Sequence, residues 1–185
     1  MPCTLPAVLA DAAVCRGSFH AVLRTDVPDT VFSAFSAALQ KAQADGSLLT
    51  ASLFRCESHL FFYAEGLNRP FTPQGLCPAL DAALLPWPPA LGETSPRPWA
   101  AMQPYFYHDI PTTAADWQQG RCPQRRRGRI ALLPPDKWCS YMEHHLRIVT
   151  EGLVEGDRWH LICVQEGVLF SYLEEPRTNV NIRHQ

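Results

Sequence analysis

The chain has 185 residues, 46% hydrophobic and 18% charged, a balance that fits a globular protein with a substantial core. Its formal net charge of −2 excludes a broadly basic surface, so neither nucleic acid nor an anionic membrane is expected as a partner. Seven cysteines, an odd number without CxxC pairs or Cys/His zinc spacing, read as reduced thiols, and no metal site is expected. The apolar N-terminal stretch lacks a preceding Lys or Arg and is interrupted by Asp11, so it reads neither as a signal nor as a membrane span. A cytoplasmic protein is the expectation.

Residues 1–17 carry little pattern and read as a surface lead-in or a short helix. Residues 18–25 read as a strand, and Pro28-Asp29 then opens a helix, since proline's missing N–H is harmless in the first turn. Val31, Phe32, Phe35, Ala38, Leu39 and Ala42 recur at three and four, giving an amphipathic helix that Asp45-Gly46 stops. Residues 48–55 and 59–65 form a hairpin, and 77–85 read as a helix. Five prolines between 86 and 98 predict a stiff, extended connection. Residues 99–102 read as a helical turn and 104–110 as a strand. Residues 111–128 lose periodicity and read as a linker. A strand at 129–133, a helix at 135–151 and a hairpin over 157–164 and 168–174 complete the pattern, leaving a polar tail from Pro176.

The order strand, Pro-Asp, helix, hairpin occurs twice. Pro28-Asp29 matches Pro135-Asp136 at an offset of 107, and residues 60–65, LFFYAE, match 169–174, LFSYLE, at an offset of 109. Each half is written βαββ, the order of a ferredoxin-like unit. Phe61, Tyr63, Phe170 and Tyr172 suggest an apolar sheet face opposite the helices. The expected fold is α+β: two ferredoxin-like halves, 18–110 and 129–175, whose sheets pack face to face as a pseudo-dimer resembling a dimeric α/β barrel.

Polar chemistry concentrates on the second helix. Tyr141 and His145, four residues apart, share one helical face, and a phenol beside an imidazole can exchange protons near neutral pH. At the helix offset of 107 their counterparts are Ala34 and Ala38, so the repeated scaffold does not itself require them.

The second half resembles the L-rhamnose mutarotase family of dimeric ferredoxin-like α/β barrels. The resemblance rests on Tyr141, His145, Ile148 and Glu151 and on the hairpin that follows, over 129–175, with a weaker echo over 19–110. It implies a cofactor-free isomerase that interconverts the anomers of a sugar or sugar acid. His145 would be the general acid/base, Tyr141 its partner, Trp99 the platform stacked on the sugar ring, and Tyr105, Tyr107 and His108 rim residues. The departures are a second half that ends before the family's last helix, and Glu143 and His144 where the family has arginines. The protein would act as a monomeric pseudo-dimer or as a homodimer.

Other readings stay open. A Tyr/His pair at this spacing also arises by chance, and a non-catalytic carbohydrate-binding module of the same fold would use the same residues. Trp99 could simply pin the proline-rich segment down. Trp138 and Trp159 read as core. Arg121, Arg125, Arg126, Arg127 and Arg129 read as a solvated linker.

Overall fold

Two four-stranded antiparallel sheets organise the computed structural model, which describes residues 11–109, 111–150 and 155–181. The chain divides into two units: one holds 11–102 with 113–115 of the described residues, the other 103–112 with 116–181. The architecture is α+β. Among the described residues no helix is long and apolar enough to cross a membrane.

In the first unit, β1 (Val14–Val22), α1 (Asp29–Ala44), β2 (Leu48–Cys56), β3 (His59–Leu67), α2 (Pro78–Ala82) and β4 (Ala100–Ala101) build a sheet of order β2-β3-β1-β4. The periodic stripe read from the sequence is the face that α1 buries: Phe35 is 2% exposed and meets Phe62 edge-on at 5.7 Å. β1 begins four residues before the predicted start at Ser18. Residues 100–101 form a strand instead of a helical turn, because β1 offers its free edge there, pairing Phe19 with Ala101 and His20 with Ala100. The proline-rich segment folds back instead of extending: Trp87 and Arg97 exchange two backbone hydrogen bonds, 2.8 and 3.1 Å long.

In the second unit, β5 (Gln103–Tyr107) and the five-residue helix α3 (Ala114–Gln118), which begins in the first unit, precede β6 (Arg125–Leu132). A 3-10 turn at Pro135–Lys137 leads into α4 (Trp138–Thr150), followed by β7 (Glu155–Asp157), β8 (Leu161–Gln165), β9 (Val168–Glu175) and β10 (Asn179–Asn181). The sheet order is β5-β8-β9-β6, and β10 pairs with β7, so part of the expected polar tail is a strand. The expected linker is partly structured. Residues 125–128 belong to β6 because their register against β9 is continuous, from Arg125 opposite Glu175 to Leu132 opposite Val168.

The offset of 109 between the hairpins holds in the pairing. Arg16, Ser18 and His20 stand opposite Glu65, Tyr63 and Phe61, while Arg126, Gly128 and Ile130 stand opposite Glu174, Tyr172 and Phe170. The sheets differ in their fourth strand: β4 lines β1 in the first, whereas β5 lines β8 in the second.

Candidate functional site

The side chains of α4 that turn toward its sheet are Trp138 and Tyr141, which pack on a cluster of Leu133, Ile162, Val164 and Leu169. One turn further on, His145 lies 4.3 Å from the Tyr141 ring, centroid to centroid, as the four-residue spacing predicts. From the sheet, Tyr105 approaches Tyr141 at 5.4 Å and His145 at 5.5 Å, and Phe106 meets the His145 ring edge-on at 5.4 Å. Tyr105 and Phe106 are adjacent in sequence and would alternate sides on a regular strand. The register slips between Pro104 and Phe106, and this irregularity lets both rings meet the α4 face. Strict alternation hid Phe106 from the sequence reading.

His145 Nδ1 lies 3.0 Å from the Tyr141 carbonyl oxygen, which can only accept, so Nδ1 carries the proton and Nε2 keeps its lone pair. Burial lowers the imidazole's pKa, His144 lowers it further, and the hydrogen bond to Tyr141 partly opposes both. Burial raises the phenol pKa of Tyr105 and of Tyr141. At neutral pH the cluster therefore holds a neutral imidazole, with a basic nitrogen, beside two protonated phenols. All three side chains are half-buried, so a small polar molecule can reach them.

The other predicted residues are placed differently. His108 follows β5, stacks on His160 at 4.6 Å and meets Phe106 edge-on at 4.9 Å, so it adjoins the cluster through Phe106. Tyr107 stands opposite Leu161, on the sheet face away from Ile162 and α4. Trp99 is a core residue of the first unit, 2% exposed. Its ring stacks near Phe35 at 6.2 Å, and its indole N–H donates to Asp81 at 2.9 Å. The platform the resemblance assigns to Trp99 is thus occupied by packing. Glu151 lies outside the described residues. Trp159 is core, edge-on to Trp117 at 4.5 Å, while Trp138 is half-buried.

Ala34, the expected counterpart of Tyr141, faces solvent on α1. The buried stripes superpose at an offset of 106 instead: Phe32, Phe35 and Leu39 correspond to Trp138, Tyr141 and His145. Where the first unit seals its helix with Phe and Leu, the second inserts Tyr and His.

A second polar feature escaped the sequence reading, although the matching LFFYAE and LFSYLE contained it. Tyr63 donates to Glu65 at 2.5 Å and Tyr172 donates to Glu174 at 2.6 Å, with all four side chains at most 1% exposed. In the first unit Arg16 Nε donates to the Tyr63 hydroxyl at 3.1 Å. In the second, Arg121 grips Glu174 with Nη2 at 2.6 Å and Nε at 3.0 Å, its guanidinium lying over the rings of Trp117 and Trp159. The signal was a Glu repeated two residues after a repeated Tyr, which places both on one strand face. Arg121 is a buried ion-pair partner, not a solvated linker residue.

Among the described residues no three His, Cys, Asp or Glu side chains gather as a metal-binding group, and the six described cysteines are free. No protein-family model, no curated protein and no solved structure matches the chain.

Proposed function

We propose that the Tyr105, Tyr141 and His145 cluster is a cofactor-free acid/base site for a cytoplasmic sugar isomerase, interconverting the anomers of a monosaccharide or sugar acid. The observation that carries this reading is the hydrogen bond from His145 Nδ1 to the Tyr141 carbonyl, which fixes the tautomer and leaves Nε2 as a base beside two phenol donors. In the reaction, Nε2 takes the proton of the anomeric hydroxyl while a tyrosine hydroxyl protonates the ring oxygen. The bond between the anomeric carbon and the ring oxygen breaks, leaving an open aldehyde. Rotation and re-closure on the other face return both protons. Phe106 supplies an apolar surface for the ring in place of Trp99. The chain itself reads as a tandem of two ferredoxin-like units, supported by the common pairing of β1, β2 and β3 and of β6, β8 and β9.

The test is exchange-rate NMR of the two anomers over a panel of deoxy and uronic sugars. Acceleration is expected for at least one sugar, with a loss of about 100-fold or more in His145→Ala, the usual scale of a general acid/base contribution. Binding of a sugar without faster exchange would instead make the protein a carbohydrate-binding module. Exchange that survives His145→Ala would remove His145 from the chemistry.

A further inference from the structure

The outer edges of β1 and β6 occupy equivalent places in the two sheets, and among the described residues only that of β1 is covered. Along β1, the Ser18 carbonyl accepts from the Met102 N–H at 2.8 Å, the Val22 carbonyl accepts from the Leu85 N–H at 2.7 Å, and β4 pairs between them. The residues of β6 at the same register positions are Gly128, Ile130 and Leu132, opposite Tyr172, Phe170 and Val168. The Leu133 N–H donates inward to the Gly167 carbonyl at 2.7 Å, so alternation turns the N–H and C=O groups of these three even-numbered residues outward. Among the described residues no strand pairs with that side of β6. Ile130 is 41% and Leu132 79% exposed, so the C-terminal part of this edge is apolar and open to strand addition.

The side chains indicate the occupant. Arg125, Arg127 and Arg129 alternate on the face opposite to Ile130 and Leu132. Arg127 meets Glu175 at 2.8 Å, whereas Arg125 and Arg129 have no acidic partner among the described residues. A second copy fits poorly. Antiparallel self-pairing must set even residues against even ones, and its longer registers place Arg129 opposite Arg129 or Arg127, where like charges destabilise.

We infer that the outer edge of β6 receives an extended acidic strand of a partner protein, carboxylates toward Arg125 and Arg129 and alternate apolar side chains toward Ile130 and Leu132. Main-chain hydrogen bonds to Gly128, Ile130 and Leu132 would supply affinity, and the arginines the choice of partner.

The full chain is titrated with a fluorescein-labelled peptide alternating glutamate and valine, and with its lysine–valine counterpart, at low salt. The glutamate peptide should bind and slow amide exchange at Gly128, Ile130 and Leu132. Arg125→Glu combined with Arg129→Glu should weaken it about tenfold or more and favour the lysine peptide. Ile130→Pro, which removes an outward N–H and leaves the β9 ladder intact, should abolish binding. Absence of binding to the wild type, binding indifferent to the charge reversal, or unchanged amide exchange would each overturn the inference. So would a concentration-dependent dimer that Ile130→Pro dissolves, because the occupant would then be a second copy.

Discussion

The helix of the first unit and the helix of the second meet their sheets in opposite ways. α1 closes its interface with Phe35 against Phe62 and Trp99, all at most 2% exposed. α4 presents Trp138, Tyr141 and His145, none of them fully buried, and leaves Met142 and Leu146 exposed at 50% and 65%. Beneath both helices three strands pair alike and the fourth differs, and both sheets bury a Tyr–Glu hydrogen bond at matching positions. An α-helix can therefore be held on this sheet by hydrocarbon alone. The tyrosine and histidine of α4 replace that hydrocarbon at a cost in burial, a departure from local packing that supports the proposed acid/base role.

Truncation should separate the two interfaces most strongly. Phe35→Ala removes a fully buried ring and should cost about 3–5 kcal/mol. Tyr141→Ala removes a half-buried one and should cost about 1 kcal/mol. Urea denaturation of both variants reads the difference, and equal losses would mean that the α4 interface carries stability as the α1 interface does. The shared feature should respond alike in both units. Tyr63→Phe and Tyr172→Phe each deprive a buried carboxylate of a donor and should each cost about 1–3 kcal/mol. A neutral Tyr63→Phe beside a costly Tyr172→Phe would show that the two buried Tyr–Glu bonds are not equivalent.

Much of this contrast was legible in residue order. The i to i+4 spacing placed Tyr141 above His145, and period-3.6 patterning found the α1 stripe, because both depend on local geometry. Three features depended on pairing and were hidden. The irregularity after Pro104 that gathers Tyr105 and Phe106 is a property of the β5–β8 register. The burial of Arg121 depends on Glu174, 53 residues away. The match of packed positions, Phe35 with Tyr141 instead of Ala34, depends on which face each helix turns to its core, which Pro-Asp alignment alone does not report. Trp99 illustrates the converse: the family resemblance suggested a ligand platform, whereas an Asp81 partner and two aromatic neighbours make it core.

The smallest effect tests the electrostatics of the α4 interface directly. His145 is partly withdrawn from water beside Tyr105, Tyr141 and Phe106, and burial, followed by the His144 charge, sets its pKa below the ordinary 6.5. A histidine whose pKa is lower folded than unfolded binds more protons in the unfolded chain over that window. Stability then rises with pH across it, is fully present above the unfolded value, and is lost as pH falls through the folded one. Denaturant midpoints measured between about pH 7.5 and pH 5 should therefore fall more steeply in the wild type than in His145→Gln. The residual slope of the variant belongs to other groups. Parallel slopes would mean that the His145 ring is as well hydrated in the folded chain as in the unfolded one, and a steeper slope in the variant would reverse the sign of its linkage. In either case Nε2 would not be the desolvated base that distinguishes α4 from the hydrocarbon seal of α1.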